Sequence, residues 1–144
     1  MSLKLKPGVH KFFDALRKAS KKMALATNST QKQLDDLFVN NANISSELSL
    51  YGFDVILRKE DCKKSKPDPE IYLETVKRLG LKPEECLVVE DSYEGVRAAI
   101  SAGVSVINVY DMYSDINRQK IDQALSNAKV NAYKVNRLDD IFNE

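Results

Sequence analysis

The sequence has little of what most specialised sites are built from. Its 144 residues include two cysteines, Cys62 and Cys86, and a single histidine, His10. Two distant thiols make neither a disulfide framework nor a zinc cluster, and one imidazole cannot supply a pair of metal ligands. His10 is assigned no role. Only five glycines occur, with no Gly-x-Gly-x-x-Gly run and no P-loop, which excludes the common nucleotide-cradling loops. No apolar stretch approaches the ~20 residues of a membrane span, and residues 1–6 hold no signal-peptide apolar region. These absences point to a cytoplasmic protein with no membrane partner. Charge of one sign is also lacking, since 22 Lys and Arg face 21 Asp and Glu. Nucleic acid, which favours a strongly basic face, is therefore not an expected partner. The basic runs at 17–22 and 58–66 read as solvated faces.

What is present is the composition of one soluble globular domain, 43% apolar and 30% charged. Short apolar runs alternate with amphipathic segments, the pattern of a parallel sheet covered by helices. Pro7 and Gly8 precede a helix over 9–19 whose buried side is Phe12, Phe13 and Leu16. A strand over 23–26 leads into Thr27, Asn28, Ser29 and Thr30, and Thr30 with Gln33 has capping-box spacing for a helix through Leu34, Leu37 and Phe38. Residues 40–50 are polar and irregular. A second strand, 53–57, opens into a loop over 59–66, after which Asp68 caps a helix with Pro69 in its first position and Gly80 at its end. The third strand, 86–89, is an apolar run of the kind buried on both faces. A helix of small residues, Gly95, Ala98, Ala99 and Ala102, ends at Gly103, and a fourth strand follows over 104–109. A polar helix over 115–127, an edge strand over 132–135 and a turn at 138–142 complete a three-layer, doubly wound α/β domain spanning 1–144.

In open parallel sheets, ligands bind beyond the carboxyl ends of the strands. Three successive strands here end in polar groups. The first ends in Thr27, a hydroxyl donor for a phosphate oxygen, and in Asn28 and Ser29, whose backbone N–H groups open a helix and favour an anion. The second leads to Lys66, a positive charge held by the following Pro67 and suited to a transferring phosphoryl group. The third ends in Glu90 and Asp91. Two adjacent acids at a buried strand end repel each other, and a hard divalent cation relieves that cost; Mg²⁺ is the natural candidate. Each feature also has a plain structural explanation as a helix cap, a surface lysine or a first-turn acid.

Taken in order, Ala24-Leu25-Ala26-Thr27-Asn28-Ser29, Lys64-Ser65-Lys66-Pro67-Asp68-Pro69-Glu70-Ile71-Tyr72 and Leu87-Val88-Val89-Glu90-Asp91-Ser92-Tyr93-Glu94-Gly95 resemble the second, third and fourth motifs of the haloacid dehalogenase-like superfamily. The look is closest to its beta-phosphoglucomutase and phosphoglycolate-phosphatase-like branch. Pro7-Gly8-Val9 resembles the point where that branch re-enters its Rossmann-like core after a helical cap, so the resemblance covers 7–142. It implies that Thr27 binds the transferring phosphoryl group, Asn28 helps position it, Lys66 neutralises its charge, and Asp91 holds Mg²⁺ with Glu90 in support. It also implies a phosphatase or phosphomutase acting on a small phosphorylated metabolite through an aspartyl-phosphate.

The sequence departs from the family at its first motif. There is no Asp-x-Asp anywhere; Asp35-Asp36 and Asp139-Asp140 are adjacent pairs and cannot substitute. By resemblance the nucleophile, one metal ligand and the cap are then absent, the expectation is a truncated chain that is inactive alone, and the sheet lacks its first, central strand. That strand would lie between the one ending at Thr27 and the one ending at Asp91. Either these two close on each other, or self-association or a partner segment fills the gap. Two other readings compete. A receiver domain uses similar groups but places its acids before the hydroxyl and the lysine, the reverse of the order here. A non-catalytic fold that binds a partner or a phosphorylated ligand remains the main alternative.

Overall fold

The computed structural model describes residues 8–40 and 52–142. The opening segment and the irregular stretch expected over 40–50 lie outside those residues from 41 onward, as do the side chains of Leu37 and Phe38. Helices and parallel strands alternate as the apolar pattern requires: α1 Val9–Lys18, β1 Ala24–Ala26, α2 Gln31–Asn40, β2 Val55–Leu57, α3 Glu70–Leu79, β3 Leu87–Glu90, α4 Tyr93–Ser101, β4 Ser105–Val109, α5 Arg118–Ser126 and β5 Ala132–Val135. Short 3₁₀ turns stand at Lys59–Asp61, Pro83–Glu85, Met112–Asn117 and Leu138–Phe142. The polar helix expected from residue 115 thus starts at Arg118, because the chain first makes the turn that Asp111 caps through Tyr113 N–H.

The strands form two parallel sheets rather than one. β1 pairs with β2, Ala24 opposite Val55, while the larger sheet runs β3-β4-β5 with Glu90 opposite Asn108. The strands ending at Thr27 and Asp91 therefore do not close on each other. Alternation along β3 and β4 sends side chains to two cores. Val88 and Val106 join Leu57, Ile71, Tyr72, Val76, Val96 and Ala99 on one face, so a single helical layer of α3 and α4 spans both sheets. Val89, Ile107 and Val109 meet Val9, Phe12 and Leu138 on the other. Helices thus cover both faces, as expected.

Both faces of β3 are packed, Val88 on one and Val89 on the other, but the strand's first residue is not covered. Its outer edge pairs with no strand among the described residues, and Leu87 is 49% exposed. The small residues at α4 behave as read, with Gly95, Ala98, Ala99 and Ala102 all buried. Asp68 caps α3 from one position further out than expected, its Oδ1 accepting the Glu70 N–H at 2.9 Å, with Pro69 as the flanking residue.

Leu57 is fully buried and belongs to the smaller sheet, so it carries much of that sheet's contact with the shared core. Leu57→Ala is expected to lower the unfolding free energy by about 2–5 kcal/mol in urea titrations. Tyr133→Ala, at an exposed position of β5, is expected to stay within about 0.5 kcal/mol of the parent protein.

Candidate phosphate and metal site

The carboxyl ends of β1 and β3 and the loop after β2 meet at one place. That loop is shaped by its own acids. Asp61 accepts from the Arg58 backbone N–H at 2.8 Å and from its guanidinium at 2.9 Å; the guanidinium hydrogen bond holds the Asp61 carboxyl below its usual range and raises Arg58. Glu70, in the first turn of α3, accepts the backbone N–H groups of Lys63 at 3.0 Å and Lys64 at 2.7 Å, and those two hydrogen bonds likewise lower its pKa. The chain then delivers Lys66, whose backbone N–H donates to Asn28 Oδ1 at 3.1 Å.

Lys66 Nζ donates to the Ala26 carbonyl at the end of β1, 3.1 Å away, and to Glu90 Oε1 at the end of β3. Both side chains are only 9% exposed. Tyr72, one turn into α3, donates its hydroxyl to the same Glu90 oxygen, and its ring lies 5.0 Å from the ammonium. Burial, with the adjacent Glu90 charge, pushes the Tyr72 phenol far above its ordinary range, so it stays a donor. Gly95 makes room for the carboxylate: a Cβ there would overlap the Glu90 carboxyl group. Ser92 caps α4 by accepting the Gly95 N–H at 3.0 Å, and its hydroxyl lies 3.5 Å from Glu90 Oε2.

The structure thus brings Asn28, Lys66 and Glu90 together, with Thr27 next to Asn28 in the chain and Asp91 next to Glu90 at the end of β3. One expectation changes. Several of the N–H groups that open α2, that of Ser29 included, already have internal acceptors. Ser29 N–H goes to Thr27 Oγ1 at 3.0 Å, Thr30 and Gln33 form the reciprocal capping box, and Gln31 N–H meets the Glu60 carboxylate at 3.0 Å. The anion favoured by this helix terminus is the protein's own Glu60, which sequence spacing could not reveal across 29 residues. Tyr72 was also missed. At helical spacing it counts as an apolar core residue, although a buried phenol needs a partner and that need is a usable signal. Among the described residues, no three or more His, Cys, Asp or Glu side chains are grouped to hold a metal ion.

The family model for haloacid dehalogenase-like hydrolases matches residues 1–103. The chain belongs to this family. It is 36% identical over 118 residues to a phosphorylated carbohydrates phosphatase of Thermotoga maritima, covering 82% of this chain and 51% of that protein. A bifunctional riboflavin kinase/FMN phosphatase of Arabidopsis thaliana is 38% identical over 112 residues, or 74% of this chain and 27% of the relative. Among solved structures, a candidate beta-phosphoglucomutase from Thermotoga maritima superposes with a TM-score of 0.72 at 34% identity, covering 95% of this chain and 57% of that one. The haloacid dehalogenase-like chain described here spans about a quarter to a half of the length of such curated relatives.

Two outcomes follow from the geometry. Gly95→Ala should displace the Glu90 carboxylate and destabilise the protein, whereas in a Glu90→Ala background the overlap is gone and the same change should be neutral or stabilising. A double-mutant cycle by chemical denaturation should give a coupling of about 0.5–3 kcal/mol. The lowered pKa of Glu70 means that its contribution is present above the unfolded-state value and is lost as pH falls through the lower folded value. Amide resonances of Lys63 and Lys64 should therefore titrate together with a midpoint below about 4.3, the ordinary glutamate value. Glu70→Gln should abolish that titration.

Proposed function

We propose that this chain is a single, partial core domain, matching the family over 7–142, of a phosphatase or phosphomutase acting on a small phosphorylated metabolite. Its parent protein would supply the nucleophile on an Asp-x-Asp strand. The observation that carries this reading is the convergence of Thr27, Asn28, Lys66 and Glu90 at adjoining strand ends. The names of two relatives support the same chemistry, since one acts on phosphorylated carbohydrates and the other on FMN.

Three of these side chains have a donor to give. The Thr27 hydroxyl accepts from Ser29 N–H, so its own hydrogen remains for a phosphate oxygen. Lys66 has three N–H donors; two go to Ala26 and Glu90, and the third, with the ammonium charge, is left for a phosphoryl oxygen. Asn28 uses its carbonyl oxygen on Lys66 N–H, which turns its amide NH₂ outward as a further donor. Glu90 Oε2 and the neighbouring Asp91 fit part of the oxygen donor set of Mg²⁺, which takes one or two carboxylates with phosphate and water. Bound there, the ion neutralises charge on the phosphoryl group. In the parent, the Asp carboxylate forms a bond to phosphorus as the bond to the leaving oxygen breaks, and the aspartyl-phosphate passes its phosphoryl group to water or to a second substrate.

A second reading rests on the divided sheet. Among the described residues β1 pairs with β2 alone and β3 with β4 alone, which leaves two parallel edges for a strand from a second copy or a partner segment. In that case the chain is a non-catalytic binding module, or it draws its nucleophile from that partner.

The chain alone, given an aryl phosphate or a sugar phosphate with Mg²⁺, is expected to release no phosphate above background. Charge stabilisation without a nucleophile left about 10³–10⁴ over water in a protease series. That is too little to detect against enzymes that accelerate phosphate monoester hydrolysis by up to ~10²¹. Turnover that disappears in both Lys66→Ala and Asp91→Ala would mean that a residue of this chain is the nucleophile and would overturn the proposal.

A further inference from the structure

Asn108 is a buried polar residue on the central strand of the larger sheet, 1% exposed and directly opposite Glu90. Its Nδ2 donates to the Glu90 main-chain carbonyl at 3.2 Å, and its Oδ1 accepts from Arg118 Nη1 at 3.0 Å. Arg118 is the first residue of α5 and lies over Tyr110, with its guanidinium carbon 5.3 Å from the ring centroid. Its remaining donors, Nε and Nη2, are buried and have no hydrogen-bond partner among the described residues. A buried charged donor without an acceptor carries an uncompensated desolvation cost. The fold bears that cost two hydrogen bonds away from the Glu90–Asp91 peptide. The same Nε and Nη2 edge does grip a carboxylate elsewhere, in the Arg58–Asp61 and Arg137–Asp139 pairs. Its different use at Arg118 therefore needs its own account.

We infer that Arg118 is a positioning residue that acts through Asn108 on the peptide joining Glu90 to Asp91. A guanidinium only donates, so it compels the Asn108 amide to present its oxygen. The amide NH₂ is then turned to the Glu90 carbonyl, and the orientation of the Glu90–Asp91 peptide plane, which sets the direction of the Asp91 side chain, is fixed by a group on another helix. Without Arg118 the amide is free to flip, and an oxygen facing the Glu90 carbonyl would repel it. This rests on the reading of Glu90 and Asp91 as the metal-holding end of the site, for which the relay is an outer layer of support.

The test is the ¹⁵N chemical shift of Asp91, which reports the hydrogen bond accepted by the carbonyl of its own peptide and requires neither metal nor turnover. Arg118→Met and Asn108→Asp are expected to move that resonance upfield, and Arg118→Lys, which still donates to Oδ1, to restore it. Asn108→Asp keeps a strong partner for Arg118 and so should keep the melting temperature while losing the grip on Glu90, which separates positioning from simple stability. Mg²⁺ affinity, followed at Asp91 by the same spectra, should fall about 10- to 100-fold in the Met and Asp variants. An Asp91 resonance unmoved in folded Arg118→Met and Asn108→Asp would overturn the relay, as would an Arg118→Lys protein indistinguishable from the Met variant. If the parent chain shows no response to Mg²⁺ at Asp91, the metal assignment fails, while the ¹⁵N comparison still decides the relay.

Discussion

Among the described residues the two sheets share no hydrogen-bonded ladder, and at their carboxyl ends they are joined by the buried ion pair of Lys66 and Glu90. Lys66 also holds the Ala26 carbonyl, so a single ammonium is tied to the last residue of β1 and the last residue of β3. Tyr72 adds a hydroxyl from the helix that packs beneath both sheets. Taking two charges out of water costs about as much as their attraction returns, so such a pair adds little net stability. Breaking it by removing one partner leaves a buried charge and costs about 3–5 kcal/mol. The pair therefore works mainly as a geometric constraint, holding the two sheets with their polar ends together.

Around this pair, most of the neighbouring interactions limit where Lys66 can go. Glu70 draws in the Lys63 and Lys64 backbone, Arg58 and Asp61 close the turn before it, and Asn28 takes the Lys66 N–H. The loop is thus fixed at both its ends and at the residue that carries the charge. On the other side, the absence of a side chain at Gly95 is what lets the Glu90 carboxylate lie over the start of α4. A loop ordered in this way loses less freedom when it meets a ligand, which is the benefit of preorganisation.

Much of this was legible in the sequence, for identifiable reasons. Thr30 and Gln33 have capping-box spacing and make that box; Gly80 and Gly103 stand where helices end, both at positive φ. Thr27 and Glu90 each follow an apolar run, Lys66 stands in the loop that leaves a third, and parallel strands bring their carboxyl ends to one side. What was not legible depends on contacts distant in sequence. Nothing in the spacing of Glu60 and Gln31 says that the carboxylate will cover the helix start. Leu87, the first residue of β3, is exposed although Val88 and Val89 are packed, and an apolar run does not say where along a strand its cover begins. Asn108 lies between the apolar Ile107 and Val109, and its partner Arg118 stands ten residues further on, beyond a 3₁₀ turn that the helical pattern had absorbed.

The charges at this end of the sheets impose a condition on any ligand. One ammonium, Lys66, is paired with Glu90, Asp91 adds a second carboxylate next in sequence, and Thr27 and Asn28 contribute dipoles but no charge. A phosphate ester arriving alone would meet a surplus of negative charge, with its best cation already committed to Glu90. A divalent cation arriving alone would find too few ligands and would keep most of its water. At the proposed site each would supply the charge the other lacks, so binding of one would favour the other, and by linkage the gain in affinity would be the same in both directions. A cation drawing on Glu90 would also weaken the hold of that carboxylate on Lys66 and release its ammonium toward the phosphoryl oxygens. The pair that fixes the resting geometry is thereby also the element through which metal and phosphate would be coupled.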